Sequence, residues 1–243
     1  MKNSNIVDEE FQGLDLYVVE NTYVLSAFYS FSNKINSLHR FWIRSQTLIQ
    51  QDFSQQLNNI KNLESEILKN KNDIPDYIDV EELIFNQKES LTEELNFDQN
   101  YFVQHIRASI IVFTLSLLED ILNEVANGVA EELKIKVQIP EGNYSTINKY
   151  LDWLKINSLN IDLTESEKLK IDLIRRIRNN FIHSINKKLP YYLQNSLKEL
   201  FDDYAREGSI TSDKLVEKTL EQVCQIVKKI EIEYIKFYKT SKK

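Results

Sequence analysis

Glycine and proline are nearly missing from this chain, with four Gly and three Pro among 243 residues. A chain so poor in turn-formers has few places to reverse direction, which excludes a many-stranded sandwich or barrel and leaves long helices. Cysteine occurs once, at Cys224, so no intrachain disulfide can staple the fold, and a reducing cytoplasm suits it. The three histidines, His39, His105 and His183, are far apart, and no His-Glu-x-x-His or Cys cluster accompanies them, which argues against a metal site. A Gly-rich phosphate loop and a Ser-centred nucleophile elbow are both lacking, so no nucleotide cofactor is expected. Surplus positive charge is lacking too: the net charge of -7 disfavours a general nucleic-acid-coating role but permits a local basic site. Met1–Glu10 is polar and acidic, with no apolar run after a basic start, so no signal peptide is expected.

What is present is apolar periodicity of the helical kind. Val24, Phe28, Phe31, Ile35, Leu38, Trp42 and Ile49 recur in steps of four and three, interrupted at Ser45, which predicts a coiled-coil-like seam. Packing against neighbouring helices is the plainer use of that seam, and a dimerising arm the sharper one. After Phe53 the phase slips, which predicts either a bend or a junction of two helices near Gln55–Asn59. Pro75 marks a turn, and weaker helical pattern follows over Val80–Phe97. A helix from Tyr101 to about Leu133 has Asp98 as its candidate cap, with Phe102, Ile106, Ile110, Phe113, Leu117, Ile121 and Val125 facing inward. Its nine-residue run Ile110–Leu118 lies between Arg107 and Glu119-Asp120. A membrane span needs about 20 apolar residues, so a central buried helix is expected and no membrane insertion.

Lys134–Ile139 alternates, but with no partner strand it reads as a connector, and Pro140–Asn143 reads as a turn. A short helix over Ser145–Asn157 includes Lys149-Tyr150-Leu151-Asp152-Trp153, whose aromatics suit core packing more than base stacking. Thr164-Glu165-Ser166-Glu167 matches a capping box and starts a helix that ends before Pro190. A helix from about Tyr191 to Ala205 stops at Gly208. Ser212 caps the last helix, with Val216, Leu220, Val223, Val227, Ile230 and Tyr234 on one face. The expected architecture is all-α, an N-terminal helical arm over residues 1–97 followed by a helical bundle over 98–243.

One stretch of that bundle differs from the rest of the chain. Glu165–Lys188 holds seven Lys or Arg against three acids, a balance of +4 that leaves -11 for the remainder. Acids early and bases late suit the helix dipole, but Arg175, Arg176 and Arg178 lie mid-helix, where the dipole explains them poorly. At about 100° per residue, Leu173, Ile174, Ile177, Phe181 and Ile185 form the inward stripe and Arg178 lies on its edge. Asn179 and His183 share the polar side with Arg176. His183 can move a proton near neutral pH, Arg178 can pair with phosphate oxygens, and Asn179 can orient either. Those groups suit RNA cleavage by attack of the ribose 2′-hydroxyl on the adjacent phosphate, which needs no metal. Yet Arg178 and His183 point about 140° apart on a regular helix. Both can serve one phosphate through the reach of Arg178, through a local distortion, or across a two-fold dimer.

Arg178-Asn179-Asn180-Phe181-Ile182-His183 resembles the Arg-(four to six residues)-His motif of HEPN-superfamily ribonucleases, in which a polar residue commonly follows the Arg. Leu115-Ser116-Leu117-Leu118-Glu119 resembles the family's earlier helix that carries a Glu. The resemblance covers roughly residues 98–240 and implies a HEPN-like bundle, with Arg178, His183 and Asn179 as catalytic residues. It adds Glu119 as a residue contacting the Arg or His, beside Arg175, Arg176 and Asn180 as further candidates. It implies a homodimeric endoribonuclease that uses no cofactor, serving as a bacterial toxin or phage-defence effector, with RNA as substrate and an antitoxin or sensor protein as partner. A family subset carries a modified Tyr two residues after the His; Ile185 stands there in this chain, which puts that regulation in doubt. The competing expectation is a non-catalytic helical interaction module that uses the Val24–Ile49 seam.

Overall fold

The computed structural model describes residues 15–20, 25–75, 77–139, 141, 145–183, 189–201 and 212–242. Among them there are helices and no strands. They are α1 (Ser26–Lys69), α2 (Val80–Asp98), α3 (Gln104–Leu133), α4 (Thr146–Ile156), α5 (Glu165–His183), α6 (Tyr191–Phe201) and α7 (Asp213–Ser241). The chain forms two compact units. One comprises residues up to Phe41 together with those from Arg107 onward, and the other is Trp42–Ile106. The division into units falls within α1 and α3, and the unit that holds the Arg-to-His stretch includes the start of α1.

The seam of α1 behaves as core. Phe28, Phe31, Ile35 and Trp42 are buried, and so is Ser45, which fills its expected slot. Val24 lies outside the described residues. The phase slip after Phe53 does not break the helix, which runs unbroken over 44 residues. In the unit Trp42–Ile106 the second half of α1 returns through a 3-10 turn, Lys71–Asp73, into α2. Asp79 caps α2 by accepting from the amides of Glu81 and Glu82. Lys88 on α2 pairs with Glu64 on α1 at 2.8 Å.

Asp98 is not a cap. Its backbone is helical, and a π-helical turn, Gln99–Val103, carries the chain from α2 into α3 without a break. This 54-residue run contains the one stretch among the described residues that is long and apolar enough by composition to cross a membrane, with 39% of the apolar window buried in the protein. The inward stripe of α3 also differs from the expected one. Ile110, Ile121 and Val125 are buried, but Phe102 and Phe113 are exposed. The buried ridge runs through Ile111, Leu115, Leu118, Leu122, Val125 and Val129, in steps of four and three. The helix is apolar on nearly every side, so periodicity alone does not select the face that faces the core.

In the unit that contains α4 to α7, α7 buries one whole face. Val216, Leu220, Val223, Val227, Ile230 and Tyr234 are all buried, as its pattern predicts. The ring of Tyr234 lies 6.1 Å from that of Phe28 on α1. Gly128 on α3 makes room beside them, since a Cβ there would sit 2.6 Å from a methyl of Leu25. Ser145 and Ser212 cap α4 and α7 through the amides of Asn148 and Leu215. Trp153 is buried, and Tyr150 donates to Asn123 Oδ1 at 2.8 Å, so the α4 aromatics pack and do not form an open stacking platform. Residues 135–139 are an irregular connector. Pro140, Asn143 and Gly208 lie outside the described residues.

An extended strap, Asp15–Glu20, is held to this unit by side chains. Asn36 Oδ1 accepts from the amides of Leu16 and Tyr17, and its Nδ2 donates to the Tyr17 carbonyl. The Tyr17 hydroxyl donates to the buried carboxylate of Glu231 on α7 at 2.7 Å, and Lys228 approaches the same carboxylate at 3.2 Å. Burial and the bond to Glu231 push the Tyr17 hydroxyl well above the ordinary tyrosine range. Periodicity does not single out Asn36, Tyr17 or Glu231 as a group, because the bonds between the strap and the helices join positions distant in sequence.

Candidate functional site

The helix α5 is built as its sequence specifies. At its start the Glu167 amide donates to Thr164 Oγ1 at 3.2 Å, and Glu167 Oε2 accepts from the Thr164 amide at 2.8 Å, the reciprocal pattern of a capping box. Lys229 of α7 pairs with the same Glu167 oxygen at 2.7 Å. Burial works against ionisation of Glu167, but the bond from Lys229 and those from Thr164 outweigh it and hold the carboxyl below its ordinary range. Ile171, Leu173, Ile174 and Ile177 are buried, Phe181 is half-buried, and Ile185 lies outside the described residues. With its N-terminus tied to α7 and this stripe in the core, α5 has a fixed rotation about its own axis.

That rotation places Arg178 at the edge of the core, with 19% of its side chain exposed. Its Nη1 meets Glu119 Oε1 of α3 at 3.2 Å, and its Nε donates to Asn179 Oδ1 at 3.3 Å. The structure thus brings together Arg178, Asn179 and Glu119, drawn from two helices and separated by 59 positions in sequence. Asn180 is half-buried, and its Nδ2 finds no acceptor among the described residues. His183 is the last residue of α5, and its side chain lies outside the described residues.

Arg175 and Arg176 have a common partner that the sequence reading missed. Asp172 Oδ1 accepts from Arg175 Nη2 at 2.7 Å and Nε at 3.2 Å, and Asp172 Oδ2 meets Arg176 Nε at 2.7 Å. Spacings of three and four residues on one helix bring side chains together, so the signal was present in the string. The three mid-helix arginines, which the helix dipole left unexplained, therefore face two carboxylates, Asp172 and Glu119. One positive charge remains over.

The α-helix persists from Glu165 to His183, so no backbone distortion within it turns position 183 toward the side on which Arg178 lies. His105 lies near the start of α3, in the unit Trp42–Ile106, with its ring 4.3 Å from that of Tyr101. Among the described residues no group of three or more His, Cys, Asp or Glu is placed to hold a metal ion. Cys224 is buried, and burial, with Glu221 nearby, pushes its thiol up to about 12, so it is no nucleophile at neutral pH. Chemically, the arrangement offers one partly buried guanidinium held by a carboxylate, an amide beside it, and an exposed arginine one half-turn earlier. Compared with protein-family models, with curated proteins and with solved structures, the chain matches none.

Proposed function

We propose that this protein is a HEPN-type, metal-independent endoribonuclease that works as a homodimer in the bacterial cytoplasm, as a toxin or phage-defence effector. The observation that carries the proposal is the 3.2 Å contact of Arg178 with Glu119. It joins the two segments on which the family resemblance rests. In this reading the ribose 2′-oxygen bonds to the adjacent phosphorus while the bond from phosphorus to the 5′-oxygen breaks. One group takes the 2′-hydroxyl proton and another protonates the departing 5′-oxygen, leaving a 2′,3′-cyclic phosphate and a 5′-hydroxyl. His183 is the group that moves protons, Arg178 stabilises the charge developing on the phosphate, and Asn179 and Glu119 position Arg178. The divergence of about 140° between Arg178 and His183 is met by a second subunit, whose helix faces the first across a two-fold axis. The toxin or defence role, with an antitoxin or sensor partner, rests on the resemblance alone.

The second reading, a non-catalytic interaction module, has an observation of its own. Phe113 is exposed and, with Leu117, Leu38 and the stem of Lys34, lines an apolar groove of about 590 Å³ on the unit that holds α3 and the start of α1, a surface suited to a protein partner. One experiment separates the two. Wild type and His183→Ala are incubated with single-stranded RNA and a chelator, and the products are examined for 2′,3′-cyclic phosphate ends. Cleavage by wild type, lost in His183→Ala, is expected. Intact RNA, or equal cleavage by both, ends the ribonuclease reading.

A further inference from the structure

We infer that Arg176 forms a subsite for a phosphate of the RNA backbone flanking the one cleaved, and that Asp172 holds Arg176 until RNA arrives. The inference rests on the ribonuclease reading above. Asp172, Arg176, Asn179 and His183 succeed one another in steps of four, three and four, so their positions share one face of α5. Seven residues of helix separate positions 176 and 183, roughly 10 Å along the axis. Helical side chains lean toward the N-terminus, and Arg176 does so in reaching Asp172, which carries its guanidinium further from position 183. A strand lying along this face presents one phosphate at position 183 and a neighbouring one to the guanidinium of Arg176.

The pairing with Asp172 suits exchange. The contact engages Arg176 through Nε at 2.7 Å and leaves 55% of the arginine side chain and 34% of the aspartate in solvent. Such an exposed pair contributes little and is readily traded for another anion, whereas a guanidinium suits phosphate oxygens well. Arg175 is the more enclosed of the two, with 27% of its side chain exposed, and it grips Asp172 through two nitrogens. When a phosphate takes Arg176, Asp172 therefore keeps Arg175 and no carboxylate is left unpaired. One carboxylate between two guanidinium groups is an arrangement with a cation in reserve.

The test uses the full chain, a single-stranded RNA oligonucleotide, its uncleavable 2′-O-methyl counterpart, and a dinucleoside monophosphate that has the scissile phosphate only. Arg176→Gln is expected to lower kcat/KM on the oligonucleotide about tenfold more than on the dinucleotide, the scale of one charge-assisted hydrogen bond. The loss should appear in KM. On the 2′-O-methyl strand the slope of log Kd against log salt should become shallower by about 0.7, the value for one phosphate contact on a single strand. Asp172→Asn should tighten that binding, and the double variant should lose the gain. With a wild type that still cleaves, equal losses of Arg176→Gln on both substrates, or a salt slope that Arg176→Gln leaves unchanged, overturn the subsite and leave the ribonuclease reading standing. A wild type that neither binds nor cleaves RNA removes both.

Discussion

Removing Glu119 tests how much the contact between α3 and α5 matters to the fold that presents Arg178. The two side chains are 27% and 19% exposed and meet at 3.2 Å. Exposed pairs contribute about 0.2–1 kcal/mol, while deleting one partner of a fully buried pair costs about 3–5 kcal/mol. This pair lies between those limits, and its contact is longer than the roughly 2.7–2.9 Å of a strong charge-assisted bond. Glu119→Ala should therefore cost about 1.5–2 kcal/mol. Glu119→Gln, which keeps an acceptor but not the charge, should cost about half of that. Arg178→Ala should cost somewhat more than Glu119→Ala, because the arginine stem also packs. The assay is urea unfolding followed by circular dichroism and by tryptophan fluorescence, with coincident transitions required before a free energy is extracted. The double variant should be less destabilised than the sum of the singles, by about 1 kcal/mol. Additivity to within about 0.3 kcal/mol would mean that the contact holds nothing in place, and the claim that Glu119 positions Arg178 would fail.

Two further outcomes concern ionisable groups. Glu167 has its carboxyl lowered below the ordinary 4.5, so its pairing adds stability that is complete above that value and lost as pH falls through the lowered folded one. Lys229→Met should thus destabilise by about 1 kcal/mol near neutral pH and by less near pH 3, read from urea midpoints. A difference independent of pH would place the whole effect in the bond from Lys229 to the Asp162 carbonyl. Cys224, with its thiol pushed up to about 12, should react with iodoacetamide near pH 8 at least about a hundredfold more slowly in the folded protein than in denaturant. Intact-mass kinetics measure this, and equal rates would show the thiol open to solvent.

Much of the helical plan was legible in the string, because amphipathic periodicity and caps are local signals. The seam from Phe28 to Trp42, the face of α7 from Val216 to Tyr234, and the caps at Thr164 and Ser212 could all be read that way. The α3 face was not legible at Phe102 and Phe113, since a helix apolar on nearly all sides leaves its orientation to its neighbours. Asp98 is a good cap by type, but the π turn satisfies the same backbone groups by continuing the helix. At the candidate site, the closeness of Glu119 and Arg178 was reachable through family resemblance and not through spacing, since 59 residues separate them. The Asp172 bridge is legible in spacing alone, since Arg175 and Arg176 stand three and four residues after it, but a net charge over the segment hides it.

The strap depends on a property of Asn36 that sequence counts do not register. One amide meets three backbone groups, accepting from two N–H donors and donating to one carbonyl, and it does so while 5% exposed. Only a side chain that is donor on one arm and acceptor on the other satisfies that set. Aspartate has the same shape, but it would turn an oxygen toward the Tyr17 carbonyl, lone pair against lone pair. The substitution Asn36→Asp makes that very exchange, so a change of one atom in a buried side chain is enough to loosen the strap. The strap would then rest on the phenol at Glu231, on Ser32 at the Tyr17 carbonyl, and on the exposed pairs that Arg40 and Lys228 make with Asp15 and Glu20.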